Sequence, residues 1–272
     1  MPFTPETAAV VTLAAVFGLL AAVLLVRWRR TGYTLGEAFW YGLNLFFTRV
    51  LWRTSVSGPL PIAPGQGAVI VCNHISGIDP LLIQLTTGRR KVHWMVAREY
   101  VHNWFMRYAL TTVGSIPVNR GGIDTAATKY AIRICQQGGL VGLFPEGRIN
   151  RTPDEALLQP GRPGSAFVAL KAKVPVIPCY VSGAPYGGSA LSSFFMPARA
   201  QVVVGEPIDI APYYERANDR EVQQELTLRF LREIARLAGV SNFAARLAGK
   251  NWKNGESEVK KPAQEEQTSD LS

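Results

Sequence analysis

The sequence predicts an α/β protein with a mainly parallel sheet flanked by helices, preceded by an N-terminal membrane-anchoring helical segment. Three observations carry that prediction. From Ala68 onward, short apolar runs alternate with segments of helical periodicity, the pattern of repeated βαβ units. Before Ser57 the chain holds two long apolar and aromatic stretches instead. Hydrophobic residues make up 47% of the 272 residues, and mean hydropathy is +0.07. This is slightly high for a soluble domain, and the surplus lies at the N-terminus. The length suffices for a full core in one or two domains.

Ala8 to Val26 carries no charged residue. As a helix it would be roughly 28 Å long at 1.5 Å per residue, close to a hydrocarbon core of about 30 Å. Arg27, Arg29 and Arg30 follow it, whereas Glu6 precedes it. That asymmetry keeps the C-terminal side in the cytoplasm. A secretory signal has the reverse charge order and a small-residue cleavage site, which Val26-Arg27-Trp28 is not. A retained anchor is therefore expected over a buried core helix or a cleaved signal. Ala38 to Trp52 is apolar and aromatic but too short to span. It fits an interfacial helix, where Trp and Tyr favour the headgroup region, or an ordinary core helix. The Pro/Gly-rich stretch from Ser57 to Gly67 divides an N-terminal region, 1–56, from an α/β domain, 57–249.

Within that domain Ala68–Cys72 reads as a strand, Pro80–Thr87 as a helix and Val92–Ala97 as a strand. Asn103–Thr112 reads as a helix and Ser115–Val118 as a short strand. Asp124 is an N-cap for a helix over Thr125–Gln137, which Gly138-Gly139 stops. Leu140–Phe144 is a strand and Gly164–Lys173 a helix. Val174–Val181 is a strand that Pro175 and Pro178 place at an edge or a close approach. Ala200–Val204 is a strand, and Asp219 to Ala238 a long amphipathic helix. Residues 250–272 are polar and charged and read as a disordered tail.

Net charge is +9 and pI about 9.7. With an apolar anchor present, an anionic membrane surface is the simplest partner. No zinc-finger spacing or RNA-binding aromatic motif points to nucleic acid. Cys72, Cys135 and Cys179 are far apart in apolar surroundings, which suits reduced, buried thiols and neither disulfides nor a metal site.

Chemistry concentrates at Asn73-His74-Ile75-Ser76-Gly77-Ile78-Asp79. A histidine after a strand and a carboxylate opening the next helix can meet across a tight loop. If Asp79 caps that helix, the helix dipole favours a carboxylate there. One of its oxygens can accept a backbone N–H and the other the His74 ring, leaving the second ring nitrogen as a base. Alone, this spacing fits a structural histidine equally well. Asn73 and Ser76, in the same loop, are candidates for holding substrate. His93 and His102 lack such a carboxylate and read as structural or exposed.

No G-x-S-x-G elbow, Walker A motif, G-x-G-x-x-G or H-E-x-x-H is present. Without a resident nucleophile, His74 is left to activate an incoming alcohol. Gly114-Ser115-Ile116-Pro117-Val118-Asn119-Arg120 places an arginine after a short strand, beside Gly121-Gly122, where a guanidinium fork suits a phosphate; a solvated arginine is the alternative. Phe144-Pro145-Glu146-Gly147-Arg148 ends another strand, where ligands bind in parallel sheets. Arg148 can hold phosphate, and Glu146 can orient it or bond a substrate hydroxyl; a surface ion pair is the alternative.

These blocks, followed by Val174-Pro175-Val176-Ile177-Pro178, occur in one order that resembles the four motifs of the glycerophospholipid acyltransferase family. The resemblance covers about Ser57 to Pro207. It implies that His74 is the general base and Asp79 orients it. It implies that Arg120, Glu146 and Gly147 bind the acceptor's glycerol phosphate, and that the block at Pro175 helps form the acyl site. The third block usually runs Glu-Gly-Thr-Arg, but here it reads Glu146-Gly147-Arg148-Ile149-Asn150-Arg151. That departure leaves the acceptor headgroup open.

The expected activity is transfer of a fatty acyl group from acyl-CoA or acyl carrier protein to the hydroxyl of 1-acylglycerol 3-phosphate, at the cytoplasmic face of a bacterial-type inner membrane. No metal or bound cofactor is implied. The alternatives are another lysophospholipid acceptor such as lysophosphatidylethanolamine, a non-catalytic membrane lipid-binding protein and, less well, a secreted hydrolase.

Overall fold

The computed structural model describes residues 4–29, 32–119, 124–186 and 193–249. Arg120, Gly121, Gly122 and the tail over 250–272 lie outside the described residues.

Helix α1 (Pro5–Arg29) leads the chain, with Val16, Phe17, Leu19 and Leu20 exposed. Among the described residues, no helix is long and apolar enough to cross a membrane.

Helix α2 (Leu35–Phe46) begins with a reciprocal cap. Thr34 accepts the Glu37 amide, and Glu37 accepts the Thr34 amide. One face docks on the body, with Tyr41 donating to the Gly88 carbonyl and Asn44 to the Leu81 carbonyl. The other face leaves Leu35, Phe39 and Phe46 exposed, so only one side of the helix packs as a core helix would. A π-helical turn, Phe47–Leu51, carries the chain to the fully buried Trp52. Strand β1 (Ser55–Val56) then pairs with the sheet. The domain boundary expected at Ser57 therefore falls inside packed structure.

The remaining strands are β2 (Ala68–Cys72), β3 (Val92–Ala97), β4 (Ile116–Val118), β5 (Leu140–Leu143), β6 (Val176–Ser182) and β7 (Gln201–Val204). The sheet order is β1-β7-β6-β2-β5-β3-β4. Strands β6, β2, β5, β3 and β4 are mutually parallel, and β7 runs antiparallel to β6. The sheet separates two cores. Val69 and Val71 face one, with helices α5 (Thr125–Gln136), α6 (Gly164–Ala172) and α7 (Arg220–Leu237). Ala68, Ile70 and Cys72 face the other, with Trp52, Leu60 and α3 (Asp79–Ile83). This alternation is the period-two side-chain direction of a strand. Helix α4 (Trp104–Thr112) starts at Asn103, whose side chain accepts the Phe105 and Met106 amides.

The two prolines do not put β6 at an edge. It is an interior strand, and Pro178 marks a close approach instead. A Cβ on Gly205 would stand 2.9 Å from Pro178 Cγ, so only glycine lets the chain pass there.

Candidate active site

β2 and β5 are neighbours with Val71 opposite Leu143. Extending that register sets His74 level with Glu146, just beyond the carboxyl ends of both strands, where α/β sheets place their ligands. His74 Nδ1 lies 2.9 Å from Asp79 Oδ2. The Ile75 and Ser76 amides donate to the same oxygen at 2.8 and 2.9 Å. Asp79 is 0% exposed. The expected division of labour between its two oxygens is overturned: Oδ2 takes all three donors, while Oδ1 is buried without a hydrogen-bond partner among the described residues. Nor does Asp79 cap its helix, whose N-cap is Ile78.

Three donors converging on one oxygen fold the loop around the carboxylate and aim the imidazole. With Nδ1–H donating to Asp79, Nε2 is the ring's open base, and it has no hydrogen bond among the described residues. Phe144 stacks on the imidazole with centroids 3.7 Å apart and planes 6° apart, and Trp94 stacks beyond Phe144 at 4.7 Å. Gly142 makes room for this stack, since a Cβ there would come within 2.5 Å of the Trp94 ring.

The His74 main chain is fixed as firmly as its ring. Its amide donates to Glu146 Oε1 at 2.9 Å, and its carbonyl accepts the Asn150 amide at 2.6 Å. Glu146 Oε2 accepts the Gln159 amide at 2.7 Å. Burial pushes the Glu146 carboxyl up to about 8, outweighing the two amides and Arg148, which pull it down. Gly147 turns the loop at φ +69°, a left-handed conformation that suits glycine. Arg148 Nη2 donates to Gln159 Oε1 at 2.6 Å.

Four expected contacts with substrate need correction. Glu146 is 1% exposed and both its oxygens are engaged by backbone, so it braces the loops. Asn73 exchanges two hydrogen bonds with the Val181 backbone, at 2.8 and 2.7 Å, and so continues the β2–β6 pairing past the strand end. Ser76 is fully buried and donates to the Pro185 carbonyl. Pro175 precedes β6, one residue before the Val69–Val176 pair. It lies at the opposite end of the sheet, six residues or ~20 Å from the level of His74.

The two other histidines are structural or exposed. His93 Nδ1 meets the Gly114 carbonyl at 2.7 Å, and burial lowers its pKa; His102 is exposed. All three cysteines are free and buried. The sequence reading missed the stack beneath His74 and the part played by Gln159. Gly142 flanked by buried positions is a weak trace of the first; nothing local marks the second.

A buried carboxylate that orients an imidazole with an open Nε2 suits the activation of an external hydroxyl. The family model named Acyltransferase matches residues 53–182, which span this whole site. The 1-acyl-sn-glycerol-3-phosphate acyltransferase of Bacillus subtilis is 26% identical over 148 residues, covering 54% of this chain and 70% of that protein. The enzyme of the same name from Borreliella burgdorferi is 31% identical over 125 residues, 45% of this chain and 48% of its own. The crystal structure of the 1-acyl-sn-glycerophosphate acyltransferase of Thermotoga maritima superposes with a TM-score of 0.52 at 21% identity, over 70% of this chain and 79% of that one, and shares its fold. Residues 53–182 thus resemble the Acyltransferase family, and the chain shares the fold of an acyltransferase of known structure.

Proposed function

We propose that the protein transfers a fatty acyl group from a thioester, acyl-CoA or acyl carrier protein, to the free hydroxyl of 1-acylglycerol 3-phosphate, forming phosphatidic acid. The observation that carries this reading is the Asp79–His74 pair, ring nitrogen to carboxylate at 2.9 Å. His74 Nε2 takes the hydroxyl proton as the alcohol oxygen attacks the thioester carbonyl. Asp79 stabilises the imidazolium that forms. The C–S bond then breaks and the thiolate leaves, reprotonated from His74. No covalent acyl-enzyme forms. Arg148 and Arg120 hold the acceptor phosphate.

Membrane association belongs to the same proposal, with the catalytic domain on the cytoplasmic side, the side to which the charge asymmetry around Ala8–Val26 assigns it. It is supported by the exposed apolar residues of α1 and by an outward aromatic face on α2 and α4. On that face Trp104 is 73% exposed and packs on Phe105, and Phe105 on Trp40. Beside α4, Arg98, Val101, His102, Arg107 and Pro117 line a shallow basic hollow of about 370 Å³, suited to anionic headgroups.

An acceptor panel assayed with one labelled acyl-CoA tests the reading. Labelled phosphatidic acid from 1-acylglycerol 3-phosphate, at a higher kcat/KM than for lysophosphatidylethanolamine, is the expected outcome. Preference for an uncharged or zwitterionic acceptor would sink the phosphate assignment.

A further inference from the structure

The loop after β5 carries Arg148, Arg151 and Arg162, and it brings the last beside the first. Gly147 separates Glu146 from Arg148, and a Cβ built on Gly147 would lie 3.3 Å from Arg162 Cδ and 3.7 Å from its Nε. The Arg162 side chain therefore runs along the backbone of the residue next to Arg148. Its own amide anchors this placement by donating to the Pro145 carbonyl at 2.8 Å. The Arg162 guanidinium is one cause of the lowered Arg148 pKa, after burial.

Gln159 holds this arrangement to the base. Its amide binds Glu146 Oε2, its Nε2 donates to Asn150 Oδ1 at 2.9 Å, and its Oε1 accepts from Arg148. Asn150 and Glu146 bind the two main-chain groups of His74. One glutamine thus connects the Arg148 guanidinium to both sides of the histidine backbone. With the usual threonine absent and its arginine one place early, the side-chain amide of Gln159 supplies the fixed partner that Arg148 needs.

We infer that Arg162 is a further cation of the acceptor-phosphate site beside Arg148, that Gln159 is the positioning residue for Arg148, and that the added cation favours phosphate monoesters over diesters. The inference rests on the proposed acyl transfer to a lysophospholipid. A monoester carries about −1.5 to −2 charges near neutral pH, and a further guanidinium beside Arg148 suits that dianion. A diester headgroup carries a single negative charge and gains less from the added guanidinium. Both arginines can present N–H forks to the same phosphate, which ties headgroup choice to the level of His74.

Thiol release from one acyl-CoA tests this, with 1-acylglycerol 3-phosphate and lysophosphatidylglycerol of the same acyl chain as acceptors. Wild type is compared with Arg162→Gln, Gln159→Leu and Gln159→Glu. Arg162→Gln is expected to raise KM for the monoester about tenfold or more, change the diester KM little, and leave the thioester KM unchanged. Gln159→Leu should do the same by releasing Arg148. Gln159→Glu, which keeps an oxygen for Arg148, should restore much of the monoester KM. Monoester KM unchanged in Arg162→Gln, or equal losses on both acceptors in every variant, overturns the added cation while leaving acyl transfer intact. A wild type that releases thiol with neither acceptor removes the acyl-transfer reading itself.

Discussion

The loop after β2 and the loop after β5 leave the same edge of the sheet, yet they are stiffened by opposite means. The first is short and shapes itself. Asp79 Oδ2 gathers the His74 ring and the amides of Ile75 and Ser76, residues within five positions of it. The second runs from Phe144 to Pro163 without a regular helix and is held across its own width by Glu146, Asn150 and Gln159. A base must sit within hydrogen-bond reach of its proton donor, about 2.6–3.2 Å, and local turn geometry sets its orientation without help from distant residues. A headgroup site can be re-aimed by changing one brace, so the second loop is where acceptor choice can vary while the chemistry stays fixed.

Breaking the first loop should cost most. Asp79→Asn puts an amide where one oxygen now takes three N–H donors and misorients the imidazole. The loss in kcat is expected to be roughly 10³-fold or more, by the logic of the serine-protease aspartate, with the thioester KM little changed. A loss under tenfold would show that the loop holds His74 without its carboxylate.

Breaking the brace should act on stability and on its pH dependence. The Glu146 carboxyl, held at about 8 in the folded chain, ionises from its ordinary 4.5 once unfolded. Between those values the folded state binds more protons, so this group's contribution is present below about pH 4.5 and lost as pH rises through about 8. Thermal melts from about pH 5 to about pH 9 should therefore show wild type losing stability relative to Glu146→Gln. The glutamine also leaves one of two buried amides facing an NH₂ group, a pH-independent cost of about 1–3 kcal/mol. A wild-type-minus-variant difference that is flat with pH contradicts the assignment.

The same contrast explains what the sequence made legible. The strands from Ala68 to Val204, the cap at Asp124, the helix starts at Asn103 and Asp219, and the His74–Asp79 pair are local patterns, and the structure places each within a residue or two of its expected position. The antiparallel insertion of β7 beside β6 and the pairing of β1 with β7 are long-range events that no window of sequence carries. Asn73, Ser76 and Glu146 read as substrate ligands because polar residues beside a base usually face solvent. Here their partners are backbone groups of residues 181, 185 and 159, known only once the chain has folded. Pro175 was misplaced for a related reason, because a motif's order along the chain does not tell which end of a strand it occupies. The Gln159 hub had no local signature at all.

The central claim, that His74 is the base for an acceptor hydroxyl, is tested most directly by steady-state thiol release from acyl-CoA with 1-acylglycerol 3-phosphate, comparing wild type and His74→Ala in preparations with matched melting temperatures. The expected result is a fall in kcat of about 10²–10⁴-fold, roughly 3–5 kcal/mol of transition-state stabilisation, with both KM values nearly unchanged. Turnover by His74→Ala within a few-fold of wild type would contradict it.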